Sequence, residues 1–189
     1  FWRDIANWFL QKRNQTAKIL YIDALKGQLN PTSRELIAQV NSKQRARLLA
    51  TYRIADEYNL MVAGSSHKTE QMVGLFVKYG IDDCADIMPL KNIYRSQILQ
   101  LAEYIKIPPE ILRRSPNPDI LPGITDKYQG YFGIDYLKVE LILLGMQMEL
   151  STDEIARQLG LDDQTVIQMF EIVQLSENSR SHALAPELK

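Results

Sequence analysis

Apolar positions recur along most of the chain at helical spacing, and one short continuous apolar run interrupts them near the middle. Phe1 to Lys12 sets Trp2, Ile5, Trp8 and Phe9 on one face and predicts an amphipathic helix. Ile19-Leu20-Tyr21-Ile22 predicts a short strand, and Gly27 to Pro31 breaks the chain after it. Thr32-Ser33-Arg34-Glu35 has the form of a capping box and opens a long helix to about Asn59. Leu60 to Ala63 then predicts a buried strand that stops at Gly64. A polar turn, Ser65-Ser66-His67, leads into a helix whose face is Met72, Leu75, Phe76 and Tyr79. Ile87 to Met88 is a candidate second strand. Tyr94 to Ile105 predicts a helix with Ile98, Leu101, Ala102 and Ile105 as its face. Another helix follows Gly133-Ile134-Asp135-Tyr136 and runs to about Met148. A second capping box, Ser151 to Glu154, starts a short helix ending near Gly160, and a last helix spans about Asp163 to Leu175.

Strand, Gly-Ser-Ser turn and helix together place backbone N–H groups and a helix N-terminus at the carboxyl end of a strand. Proteins of α/β type hold phosphates and nucleotides there. With Ser66 as N-cap, Glu70 falls one residue past the capping-box position, so capping does not account for it. Complementing the helix dipole would account for it, because acids are common in first helical turns. Asn41, Arg45 and Tyr52, spaced by four and seven, lie along one stripe of the long helix. That stripe reads either as a ligand-contacting face or as a solvated basic one.

Composition narrows the choice. A length of 189 residues suits one domain. A net charge of −1 gives no electrostatic case for nucleic acid or an anionic membrane as main partner. The helical pair around Gly160 has the outline of a helix-turn-helix, but no Lys or Arg lies between Arg157 and Arg180, where a recognition helix needs them. No apolar run is long enough for a membrane span, no secretory signal is visible, and the single cysteine, Cys84, suits the cytoplasm. The first residue is Phe rather than Met, as expected of an excised or processed piece.

Met61 to Leu90 carries two motifs at nearly fixed spacing. Gly64-Ser65 to Glu70 matches G-T-x-x-x-x-E; Phe76-Val77-Lys78-Tyr79-Gly80, one inserted residue, Asp82, and Ala85-Asp86-Ile87-Met88-Pro89-Leu90 match F-x-K-Y-G-D-G-x-A-D-x-x-P-L. On these motifs the chain resembles the second half of the NAD synthetase family, amide ligases that use ATP and ammonia to convert deamido-NAD to NAD. The likeness extends from about Asn41 to Arg180. Asn41, Arg45, Arg47 and Tyr52 match a G-N-I-x-x-R-x-R-M segment followed by a tyrosine, and Ser115 to Asp126 resembles the family's P-S/T-A-D-L-W-P-G-Q-T-D-E loop.

The resemblance implies ATP contacts at Ser65, Arg95 and Asn117, and substrate contacts at Asn41, Arg45, Tyr52, Lys78, Asp82 and Asp86. It implies Glu70 as a ligand of Mg2+, and a homodimer whose dinucleotide site spans two subunits. No residue is singled out as catalytic: the family's reaction passes through an adenylate, which the protein serves by positioning charges. His67 reads as a turn residue and His182 as a surface histidine.

The chain also departs from the family. A lysine has become Arg95, a phosphate-contacting Ser or Thr has become Asn117, and the acid after Asp126 has become Lys127. The histidine and lysine of the family's S-E-H-K-R run are Asn178 and Ser179 here. The ATP-gripping S-G-G-x-D-S loop does not occur in these 189 residues, where none of the nine glycines adjoins another. These residues alone are therefore expected to be inactive.

The expected architecture is a single helix-rich α/β domain of the Rossmann-like, adenine nucleotide α-hydrolase type, with an incomplete parallel sheet. Residues 1–40 form its weakly matched start, 41–150 its nucleotide and dinucleotide core, and 151–189 a helical extension. Two functional readings follow. One is an ATP- and Mg2+-dependent ligase acting on deamido-NAD and ammonia in the cytoplasm. The other is a non-catalytic paralogue that binds a nucleotide or dinucleotide. A helix-turn-helix regulator is a third, disfavoured by charge.

Overall fold

A computed structural model describes residues 16–117 and 124–181. The helix expected over Phe1 to Lys12, the loop residues Asp119, Pro122 and Gly123, and His182 lie outside the described residues. Residues 16–26 are helical (α1), so the strand expected at Ile19 to Ile22 is corrected. Ala17, Tyr21 and Leu25, four apart, meet the core together, and that spacing fits a helix face rather than a strand. The Tyr21 hydroxyl donates to the Val73 carbonyl and anchors α1.

The long helix α2 spans Pro31–Tyr58 and is capped by Asn30, whose Oδ1 accepts from the Ser33 N–H at 2.9 Å. The expected capping box at Thr32 is thus displaced, because Pro31 sits at the first helical position, where its missing N–H costs nothing. Only Gln44 and Ala55 of α2 are buried, while Leu49 is 74% exposed.

Leu60 to Ala63, expected as a buried strand, has Leu60 and Met61 exposed and meets the segment near Ile87 through a single parallel bridge between Ala63 and Ile87, because no neighbouring segment among the described residues covers it. Gly64 N donates to the Ile87 carbonyl at 2.8 Å, and Ile87 N to the Val62 carbonyl at 3.2 Å. Among the described residues no further segment pairs with either side, and so short a pair makes no sheet.

Helix α3 covers only Lys68–Val73 and stops at Gly74, in the left-handed region with φ 75°. The expected continuation through Leu75, Phe76 and Tyr79 does not form. That left-handed glycine ends α3, and an ideal Cβ on it would lie 2.7 Å from the Ser176 Cβ, so the close crossing with the last helix also admits only glycine here. Five more helices follow: α4 Arg95–Tyr104, α5 Pro109–Leu112, α6 Lys127–Phe132, α7 Tyr136–Gln147 and α8 Thr152–Leu159. The last, α9, spans Asp163–Arg180.

The core sits where α3, α6, α7, α8 and α9 converge; Tyr128, Val139, Ile142, Leu143 and Val166 are fully enclosed there. Burying each such side chain stabilises the fold by about 1.5–3 kcal/mol. The expected apolar face of α4 behaves otherwise: that helix has no buried residue, and Leu101 and Ile105 are exposed. No helix among the described residues is long and apolar enough to cross a membrane.

Candidate functional site

Helix α3 is the element that positions the site. His67, in extended conformation, is its N-cap, and Glu70 is the third helical residue. The Glu70 carboxylate accepts from the His67 N–H at 3.2 Å, while His67 Nδ1 accepts from the Glu70 N–H at 3.5 Å. The expected N-cap at Ser66 is therefore off by one, and Glu70 is a capping-box residue after all. Ser66 is buried instead and accepts from Gln71 Nε2 at 2.9 Å, while Ser65 faces solvent.

Glu70 has a second partner. Lys127, the first residue of α6, places its ammonium directly on Glu70 Oε1. The two side chains are 14% and 17% exposed. Lys127 is held there from its backbone: its N–H donates to the Pro116 carbonyl at 3.0 Å, and Asp126 caps α6. Burial pushes the Glu70 carboxyl up, but Lys127, His67 and their hydrogen bonds outweigh it and hold it below the usual range. Burial lowers His67 to about 4, so its imidazole is neutral near pH 7.

Glu70 and Lys127 line a cavity of about 500 Å³ bounded by α1, α2, α3, residues 74–82, Asn117 and the end of α9. Asn41, Arg45, Lys78 and Asp82 stand on its wall. The structure thus gathers most of the residues that the sequence singled out. Arg45 donates to the Lys78 carbonyl at 3.2 Å, and Lys78 Nζ to the Asn178 carbonyl at 3.1 Å, closing the cavity between α2 and α9. Burial, with repulsion from Glu70, raises the Asp82 carboxyl.

Four expected site residues stand apart from that wall. Asp86 accepts from the Val62 N–H at 2.7 Å and from the Tyr52 hydroxyl at 3.2 Å, so this pair braces the parallel bridge. Arg95 lies over the Tyr136 ring at 5.4 Å, and its buried Nε has no hydrogen-bond partner. Ser65 is the fourth.

Sequence reasoning missed three residues. Gln44, 6% exposed, lines the cavity with a buried Oε1 that lacks a hydrogen-bond partner. Its signal was a polar residue three positions after Asn41 on the same helix face. Glu140 is buried on α7 and accepts from the Thr69 hydroxyl at 2.6 Å and the Ser96 N–H at 3.2 Å, joining α3 and α4 to α7. Nothing in the local pattern marked it. Arg180 donates to the carbonyls of Met72 and Val173 at 2.6 and 3.1 Å and ties α9 to the end of α3.

A magnesium ion on Glu70 does not fit this donor set. The carboxylate oxygen that would face such an ion already carries the Lys127 ammonium, and the remaining oxygens would have to come from waters and substrate phosphates. Among the described residues no group of three His, Cys, Asp or Glu side chains could hold a metal.

Residues 6–183 match the model of a family described as NAD synthase. The NH(3)-dependent NAD(+) synthetase of Coprothermobacter proteolyticus is 38% identical over 66% of this chain and 41% of its own length. That of Thermotoga maritima is 30% identical over 93% of this chain and 59% of its own. The chain thus spans about half the length of the curated relatives it matches. A solved NMN synthetase from Francisella tularensis has a TM-score of 0.65 at 26% identity, covering 81% of this chain and 58% of that one. An NH3-dependent NAD synthetase from Campylobacter jejuni has a TM-score of 0.61 at 22% identity, covering 89% of this chain and 62% of that one, a likeness of fold.

Proposed function

The chain belongs to the NAD synthase family, and from that premise we propose that it forms the dinucleotide-holding part of an ATP-dependent amide ligase. The supporting observation is the cavity. Asn41 and Arg45 from α2 and Lys78 and Asp82 from the loop after α3 share one wall, and that wall is sized for part of a dinucleotide. In this reading the substrate is deamido-NAD, whose diphosphate is met by Arg45 and Lys78. Gln44, with its unsatisfied oxygen, orients the polar end of the same ligand.

The reaction proposed is amidation. The deamido-NAD carboxylate attacks the α-phosphorus of ATP, and pyrophosphate leaves. Ammonia then attacks the resulting acyl adenylate and AMP departs. Arg95, whose buried Nε is unsatisfied, would serve ATP phosphate together with Ser65 and Asn117. Grip on the remaining phosphates requires a glycine-rich loop, and the 189 residues contain none of the S-G-G-x-D-S type. The bridge at Ala63 and Ile87 then represents one rung of a larger parallel sheet of the adenine nucleotide α-hydrolase type. The exposed Leu49, Ile54 and Tyr58 of α2 suit burial against a second subunit.

Calorimetric titration with deamido-NAD tests this. Binding is expected for the 189 residues, at least tenfold weaker in Arg45→Ala, where about 1.4 kcal/mol or more of charge-assisted hydrogen bonding is lost. NAD production from Mg-ATP and ammonia is expected to be absent. No binding of deamido-NAD would overturn the reading. Formation of NAD by these residues alone would overturn the division of labour.

A further inference from the structure

We propose that the Lys127 ammonium is the resident cation of this cavity: it occupies the place on Glu70 that a divalent ion would take, so the cavity handles its anionic ligand without a metal there. This deepens the reading above and rests on it only in taking the cavity as the ligand site.

Charge and geometry carry the argument. Two carboxylates, Glu70 and Asp82, line one cavity; Lys127 pairs directly with Glu70, and Asp82 feels Glu70, Lys127 and Arg47. Carboxylates sharing a poorly solvated site need a cation near them. In many sites that cation is a metal ion. Here the chain supplies it from the first residue of α6, at a position fixed by the Pro116 hydrogen bond and the Asp126 cap. Lys127 also lies 5.5 Å from the centre of the Tyr128 ring, so the aromatic face stabilises the ammonium from below. Displacing it with a divalent ion would push a lysine out of a largely enclosed position and set it beside a doubly positive neighbour. Both steps are unfavourable, and with no phosphate present two carboxylates offset them poorly.

The difference is also one of cavity chemistry. A metal ion leaves with a chelator and brings water ligands; a lysine does neither. A phosphate group entering this end therefore meets Lys127, with Arg45 and Lys78 on the same wall, as direct hydrogen-bond donors.

Manganese is the probe, counted by loss of its free-ion electron paramagnetic resonance signal, with no nucleotide present. Wild-type protein is expected to take up no Mn2+ at this site, so Glu70→Gln changes nothing. Lys127→Glu is expected to gain about one Mn2+ per chain, since the change sets a second carboxylate against Glu70 in a cavity that Asp82 also lines. Lys127→Met, which avoids introducing a like charge, keeps the test open if the first variant fails to fold; it is expected to gain weaker uptake and a Tm that rises with added Mn2+. Uptake of one Mn2+ by the wild type that disappears in Glu70→Gln would overturn the proposal, and that measurement decides even if neither variant folds. Folded variants that take up no Mn2+ would overturn it equally, because the cavity would then be no cation site. None of these outcomes touches deamido-NAD binding, so this inference and the functional reading fail separately.

Discussion

Glu70 and Glu140 are both largely buried carboxylates, and they are satisfied in opposite ways. Glu140 faces the core, where Thr69 supplies a hydroxyl and Ser96 a backbone N–H at the start of α4. Both donors are neutral, and the helix N-terminus adds the favourable end of its dipole. Glu70, the next residue after Thr69, faces the cavity and is held by a lysine. Helix α3 is thus a partition: one side is sealed into the core by neutral hydrogen bonds, the other meets the cavity with full charges. Neutral donors give a fixed joint. An ion pair gives a group that can change partners when an anion arrives.

Lys127→Met should break that contrast most severely. It leaves a buried carboxylate without its cation, and the expected cost is about 3 kcal/mol in urea unfolding at pH 7. The loss should shrink as pH falls below the ordinary carboxylate range, because a protonated Glu70 no longer needs the lysine. Glu140→Gln should cost less, about 1–2 kcal/mol, and should leave deamido-NAD affinity unchanged. An affinity drop in that variant would show that the two sides of α3 are coupled.

A further effect is expected in pH dependence. His67 is held at about 4, against an ordinary value of 6.5, so the unfolded chain binds one more proton than the folded chain between those values. Stability that is present above about pH 6.5 is therefore lost as pH falls toward 4, by up to about 1.4 kcal/mol per pH unit. His67→Asn keeps an N-cap acceptor and should flatten this window. The lowered Glu70 carboxyl adds a separate loss below its ordinary value of 4.5, and the variant should retain it.

Much of the site was legible because its residues sit in motifs that fix both type and spacing. Asn41, Arg45, Lys78, Asp82, Glu70 and Asn117 were named from sequence, and one cavity gathers them. Tyr52 and Asp86 were read as ligand contacts, and the structure also bonds them to each other beside the parallel bridge. Sequence shows which polar groups are present, but not whether another part of the chain has already engaged them.

By itself, the sequence determined the family, the helices α4, α7, α8 and α9 (though not the short α5 and α6) and the residue types around the cavity. Local pattern suffices there, since capping residues and period-3.6 faces act within a few positions of each other. Tertiary structure decided that no side chain fits at the end of α3, because Ser176 on α9, about a hundred residues away, crowds Gly74. It decided that residues 19–22 are helical, because the core lies on one side of Ala17, Tyr21 and Leu25. It decided what Lys127 does, because Glu70 is fifty-seven residues distant in the chain and adjacent in space. Coulomb attraction depends on distance in space and on burial, and a sequence specifies neither until the chain has folded.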